Sequence, residues 1–270
     1  MIDPFYFVLL LVLGAFSGLL AGLLGIGGGL ILVPVLTFFL VDSGTPTAHV
    51  VHAAIGTSLG VIFLTSISSA RAHHKAGAVK WPIVISFVPG LLLGGLLGSR
   101  LASELPTTEL AWVFGGFVVF SAYQLFRDKK PKPARVLPGK AGMTGAGTVI
   151  GAASALVGAG GGFLSVPFMI WSNVPVRNAV ATSAVMGFPI ALFSCVGYII
   201  NGWNLEGMPD GYIGYLYWPA IATIGAMSVL FAPVGAKLAH RLPTGVIKKV
   251  FAIMLTGIAL SMIYKATQGF

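Results

Sequence analysis

Apolar residues gather into long runs along this chain instead of alternating with polar ones. Between Asp3 and Asp42, and again between Lys140 and Arg177, there is no Asp, Glu, Lys or Arg. Each run exceeds the roughly 20 residues that one bilayer crossing needs. Cut at charged and turn-rich stretches, the chain gives ten apolar segments: 5–24, 27–41, 52–70, 82–99, 110–126, 141–157, 161–172, 178–200, 213–236 and 246–264. The pattern predicts an all-α polytopic membrane protein. The start, Met1-Ile2-Asp3-Pro4, lacks the basic opening and short apolar core of a secretory signal and reads as the head of the first membrane helix.

The segments repeat. Gly25-Ile26-Gly27-Gly28-Gly29-Leu30-Ile31-Leu32-Val33-Pro34 matches Gly158-Ala159-Gly160-Gly161-Gly162-Phe163-Leu164-Ser165-Val166-Pro167 at a shift of 133. Thr57-Ser58 matches Thr182-Ser183, Trp81-Pro82 matches Trp218-Pro219, and the stretch Gly98 to Pro106 matches Gly235 to Pro243, in the same order. Such ordered self-similarity marks a duplicated unit. Residues 1–126 form a first membrane repeat, 127–140 a basic linker and 141–270 a second repeat. Five segments is an odd number, so the second repeat is expected to be inverted relative to the first.

Each half carries a glycine break. The apolar segment after Gly162 runs only about ten residues before Trp171-Ser172-Asn173, half a bilayer at about 1.5 Å per residue. A re-entrant hairpin fits this better than a full crossing, and non-helical backbone at that depth must line a cavity or be buried in protein. The helix that follows the break presents unpaired N–H groups and the positive end of its dipole, which suits an anion. Two readings of Gly25, Gly27, Gly28, Gly29, Gly158, Gly160, Gly161 and Gly162 stand: backbone approach by an anionic substrate, or tight helix packing alone. Thr57, Ser58, Thr182 and Ser183 either line an anion path or hydrogen-bond helix to helix. Gly56-Thr57-Ser58-Leu59-Gly60 spells the nucleophile string of hydrolases, but its counterpart Ala181-Thr182-Ser183-Ala184-Val185 drops both glycines. The repeated feature is the hydroxyl pair.

Composition supports the membrane reading: hydrophobic residues make up 56% and charged residues 9%, with a net charge of +9. A soluble domain carries about a quarter charged residues. The basic residues stand at segment ends, and placing the 127–140 linker in the cytoplasm puts fourteen of the sixteen Lys and Arg inside, leaving Arg100 and Lys265 outside. Both termini are then extracytoplasmic, in a cell inner membrane or plasma membrane. Cys195 is the single cysteine and excludes disulfide frameworks and clustered-thiolate metal sites. All seven acidic residues fall in loops or at segment ends, which disfavours coupling through a buried carboxylate.

Through its two Gly-x-Gly-Gly-Gly-x-x-x-Val-Pro motifs the chain resembles, over nearly its whole length, the TauE/SafE sulfite exporter family, the 4-toluene sulfonate uptake permeases. The resemblance implies transport of sulfite, sulfoacetate or a related organosulfonate, with Gly25, Gly27 to Gly29 and Pro34, and Gly158, Gly160 to Gly162 and Pro167, as the positions that carry over. The expected function is a secondary transporter exporting such an anion; an anion channel and a membrane-embedded enzyme are the alternatives. No cofactor, metal or catalytic residue is assigned. The expected partners are a small anionic substrate and the lipid bilayer, not nucleic acid. His52 and Arg177, at equivalent positions in the two halves, read as entrance residues or as interfacial side chains that reach for headgroups. Trp81 and Trp218 read as vestibule or aromatic-belt residues. His73 and His74 are expected in a solvated cytoplasmic loop.

Overall fold

Six helices are long and apolar enough to cross a membrane, and they frame everything else in the computed structural model, which describes residues 4–25, 27–127, 136–239 and 244–268. In chain order the helices are α1 (Pro4–Leu24), α2 (Gly29–Asp42), α3 (Val50–Lys75), α4 (Trp81–Glu104), α5 (Thr107–Arg127), α6 (Lys140–Val157), α7 (Gly162–Trp171), α8 (Val176–Asn201), α9 (Trp218–Ala239) and α10 (Thr244–Gln268). The six are α1, α3, α4, α5, α8 and α9. The linker positions 128–135 and the basic residue Arg241, both used in the charge count, lie outside the described residues.

Two departures from the sequence reading have clear physical causes. Helix α3 runs five residues past the expected end at position 70, to Lys75, so His73 and His74 belong to its last turn and not to a loop. Basic side chains there complement the negative end of the helix dipole instead of ending the helix. The stop comes at Gly77, whose φ of 66° and N–H bond to His74 O close the C-terminus. Second, the fold is not wholly helical. A hairpin of β1 (Tyr212–Ile213) and β2 (Leu216–Tyr217) precedes α9, with Tyr212 opposite Tyr217 and Ile213 opposite Leu216. Left-handed glycines at Gly211 and Gly214 bend an apolar run that was expected to be the start of a helix.

Helices α3 and α8 pack on each other at the centre; 83% of the most apolar window of α3 is buried. Around them α1 packs on α9, α4 on α6, and α5 on α10. Small residues let these backbones approach. Gly14, Gly18 and Gly22, one turn apart on α1, face the backbone of Ile224, Ser228 and Ala232 on α9. Gly90, Gly94 and Gly98 on α4 face Thr144, Thr148 and Ala152 on α6 in the same way. Ser17 Oγ and Ser228 Oγ, 2.9 Å apart, and the bond from Ser228 Oγ to Gly14 O add polar ties inside the first contact. The outward faces of α1, α4 and α5 carry exposed Phe5, Val12, Leu93, Leu97, Trp112 and Phe120, a surface suited to lipid.

Helix α2 turns back beside α1, so that its last residue lies where α1 begins: Tyr6 Oη donates to Asp42 Oδ2 at 2.6 Å. The pair forms a hairpin with Gly25 and Gly28 buried near its tip. The β-hairpin sits over the same end, where the Thr45 and Tyr212 hydroxyls are 2.7 Å apart.

A side chain at Gly18 has no room, because its Cβ would lie 2.6 Å from Ser228 Cα. Gly18→Leu should cost about 1–3 kcal/mol by overpacking, read as a lower unfolding midpoint in detergent. Gly116→Leu, where nothing stands within 4 Å, should leave the midpoint in place.

Burial pushes the Tyr212 hydroxyl from 10.0 up to about 12, so the fold holds the neutral form. Its contribution to stability is full below pH 10.0 and is lost between there and about 12. Tyr212→Phe should remove part of the alkaline fall in unfolding midpoint measured across that window.

Candidate functional site

The two glycine motifs, 133 positions apart in sequence, meet in the middle of the fold. A Cβ at Gly27 would lie 3.0 Å from Gly160 Cα, and one at Gly29 would collide with the carbonyl oxygen of Gly158. Only glycine allows this approach. Gly28 and Gly161 cap α2 and α7 in the left-handed region, at φ 71° and 77°. The first bonds into α2 run from Ile31 and Leu32 N to Gly28 O, and those into α7 from Leu164 and Ser165 N to Gly161 O. The N–H groups just before them head both helices, so two positive dipole ends converge on the crossing.

The hydroxyl pairs knit the break together crosswise. Ser58 Oγ donates to Gly158 O at 3.0 Å, and Ser183 Oγ donates to Gly25 O at 3.2 Å. Ser183 Oγ also lies 2.8 Å from Ser165 Oγ. Each serine thus satisfies a carbonyl at the end of the broken helix of the other half, α6 or α1. The threonines do the converse: Thr57 Oγ1 accepts from Tyr217 N at 2.9 Å, and Thr182 Oγ1 accepts from Lys80 N at 3.1 Å. Both donors immediately precede a Trp-Pro helix start, at α9 and α4.

Against this crossing lies a narrow, partly open cavity lined by Ala21, Gly25, Gly27, Ile62, Thr65, Ser66, Ser69, Gly160, Ser183, Ala184 and Gly187. Of the residues singled out from sequence, Gly25, Gly27, Gly160 and Ser183 reach it. Gly28, Gly29, Gly158, Gly161, Gly162, Thr57, Ser58 and Thr182 shape the surrounding backbone without lining the cavity. The sequence reading missed Thr65, Ser66 and Ser69, the hydroxyl face of α3. Their signal was present: polar residues spaced by three and four in an otherwise apolar helix share one face. Among the described residues no charged side chain lines the cavity, so its electrostatics come from backbone dipoles and hydroxyls.

The outer residues lie elsewhere. His52 is buried, its Nε2–H donates to Ala102 O and Leu105 O, both at 3.0 Å, and its ring stacks on Tyr215. Arg177 lies at the surface and reaches Ala76 O at 3.4 Å. Trp81 is exposed and donates through Nε1 to His74 Nδ1, and Trp218 is also exposed. His73, expected in solvent, is buried at the end of α3 with Nε2 donating to Gly22 O of α1 at 3.1 Å. Its position is set by helix phase: residues 65, 69 and 73 fall one turn apart, on the side of α3 that meets α1.

Apolar helices and an exposed apolar surface mark a multi-pass helical membrane protein, and its family and relatives make it a membrane transporter. The chain belongs to the Sulfite exporter TauE/SafE family, whose sequence model matches residues 10–262. It is 34% identical to a protein of Haemophilus influenzae named a probable membrane transporter protein, over 97% of this chain and 100% of that one. A protein of the same name from Methanocaldococcus jannaschii is 30% identical over 93% of this chain and 91% of its own length. One from Bacillus subtilis is 29% identical over 96% and 98%. No solved structure matches the chain.

Removing Ser58 or Ser183 leaves a buried carbonyl at the break without its donor. Ser58→Ala and Ser183→Ala should each lower stability by about 1–3 kcal/mol in detergent unfolding, whereas Ser86→Ala, at a half-buried hydroxyl that bonds only within its own helix, should change it little.

Proposed function

We propose that this protein is a secondary transporter that exports a small sulfur-containing anion, sulfite, sulfoacetate or a related organosulfonate, through the cavity at the glycine crossing. One observation carries the reading: the N-termini of two helices meet at the glycine crossing, and the hydroxyl-lined cavity beside it has none of the described carboxylates in its wall. A helix N-terminus favours negative charge, and a site without acidic groups does not repel it. The family's name supplies the sulfur chemistry.

Residues 1–126 and 141–270 act as two inverted repeats of five segments around this site, the plan of many secondary transporters. The crosswise bonds support it: Ser58 to Gly158 with Ser183 to Gly25, and Tyr217 to Thr57 with Lys80 to Thr182, fall at matching positions of the two halves. The α1–α2 and α6–α7 hairpins enter from opposite faces. With linker 127–140 cytoplasmic, both termini lie outside the inner or plasma membrane. Transport needs no cofactor, no titrating carboxylate and no catalytic group. Outward movement of an anion from a negative-inside cell is driven by the membrane potential, at about 2.3 kcal/mol per charge per 100 mV.

Proteoliposomes loaded with radiolabelled sulfoacetate should release it faster when the loaded side is made negative, with sulfite competing and chloride not. Gly161→Leu should abolish the flux while the protein still inserts, because a side chain at this left-handed cap would lie within 2.6 Å of Ile190 Cδ1 and displace the start of α7. Flux indifferent to voltage, or normal flux in Gly161→Leu, would overturn the reading. Single-channel conductance would reassign the protein as an anion channel.

A further inference from the structure

We infer that Ser69 is a direct ligand of the transported anion, and that the anion enters the cavity from the cytoplasmic side along the face of α3 that ends at His73. The inference rests on the transport reading above and names the donor within its site.

Proton accounting among the hydroxyls that line the cavity singles out one of them. Thr65 Oγ1 donates to Val61 O at 2.8 Å, Ser66 Oγ to Phe63 O at 2.9 Å, and Ser183 Oγ to Gly25 O at 3.2 Å. Each of these protons is committed to a backbone carbonyl. Ser69 Oγ lines the same cavity, is 2% exposed, and has no hydrogen-bond partner among the described residues. A buried hydroxyl without a partner is unfavourable unless something that enters the cavity satisfies it. Its neighbour Ser68 donates to Val229 O on α9, so the unmet hydroxyl belongs to Ser69 and not to α3 at large. Ser121 and Ser194 also lack a partner among the described residues, but neither lines the cavity. Residues Thr65, Ser69 and His73 stand one helical turn apart, which continues the polar face from the crossing to the end of α3.

The test begins with flux kinetics in proteoliposomes. Ser69→Ala should raise the KM for sulfoacetate about ten-fold with Vmax nearly kept, the loss expected for a hydrogen bond to a charged group. Ser69→Thr should restore it, and Ser121→Ala should match the parent. Unchanged KM in Ser69→Ala would overturn the inference. The route is tested by labelling Ser69→Cys, in a Cys195→Ala background, with a sulfonate-bearing methanethiosulfonate. The introduced thiol should react only from the face that labels Lys75→Cys, and sulfoacetate should slow it several-fold. Equal labelling from both faces, or from the opposite face alone, would overturn the route. If the parent protein moves no sulfur anion, the transport reading falls by itself. Protection of the Ser69→Cys thiol by sulfate or nitrate would then keep Ser69 as an anion ligand, and protection by no anion would reject it as one.

Discussion

A backbone broken inside a bilayer leaves N–H and C=O groups with no water to satisfy them, and this constraint organises the molecule. The chain breaks twice, between α1 and α2 and between α6 and α7. At each break the exposed carbonyl is met by a serine from the other half, Ser58 on Gly158 and Ser183 on Gly25. Neither half can satisfy its own break through these bonds. The crossing therefore holds the halves together through polar contacts, at the one place where apolar packing cannot serve. Its N–H groups at the starts of α2 and α7 stand behind the cavity wall, and no described residue lining that wall carries an acidic side chain to offset their positive field.

The glycine ladders follow from the same constraint. Lipid is as apolar as leucine, so membrane helices associate through close packing instead of water exclusion. Gly14, Gly18 and Gly22 against α9, and Gly90, Gly94 and Gly98 against α4's partner α6, bring backbones together along whole helix faces. These two contacts clamp the broken hairpins from outside, since α1 and α6 each lead into a break. The rigid helix pairs fix where the short α2 and α7 point. The surface left over is apolar and faces outward, as lipid requires.

Much of this is legible in the sequence because the repeated features are the strained ones. Three glycines before a Val-Pro, ten apolar residues where about twenty would be needed, and a Thr-Ser pair in both halves already locate the crossing. What stays hidden depends on helix phase and on partners distant in sequence. Ser68 and Ser69 are adjacent and chemically identical, yet one binds the α9 backbone and the other faces the cavity. His73 and His74 are equally polar, and one is buried against Gly22 while the other contacts an exposed tryptophan. The β-hairpin is hidden for another reason: Tyr212 to Tyr217 is as apolar as a helix start, and only the glycine conformations at 211 and 214 distinguish the two.

The two halves share their ties but not their polarity, and this difference bears on how the site works. At the shift that aligns Thr57-Ser58 with Thr182-Ser183, Thr65, Ser66, Ser69 and His73 of α3 correspond to Ile190, Ala191, Ser194 and Tyr198 of α8. The terminal contacts are kept: His73 donates to Gly22 O and Tyr198 donates to Ala155 O, again at matching positions. The lining between crossing and end is not kept, being hydroxylic on α3 and largely apolar on α8. A polar solute in the cavity therefore meets the hydroxyls of α3, whereas Ile190 and Ala191, their counterparts on α8, do not line it. The repeated residues thus make the ties at the crossing, and the unrepeated ones set the polarity of the cavity beside it.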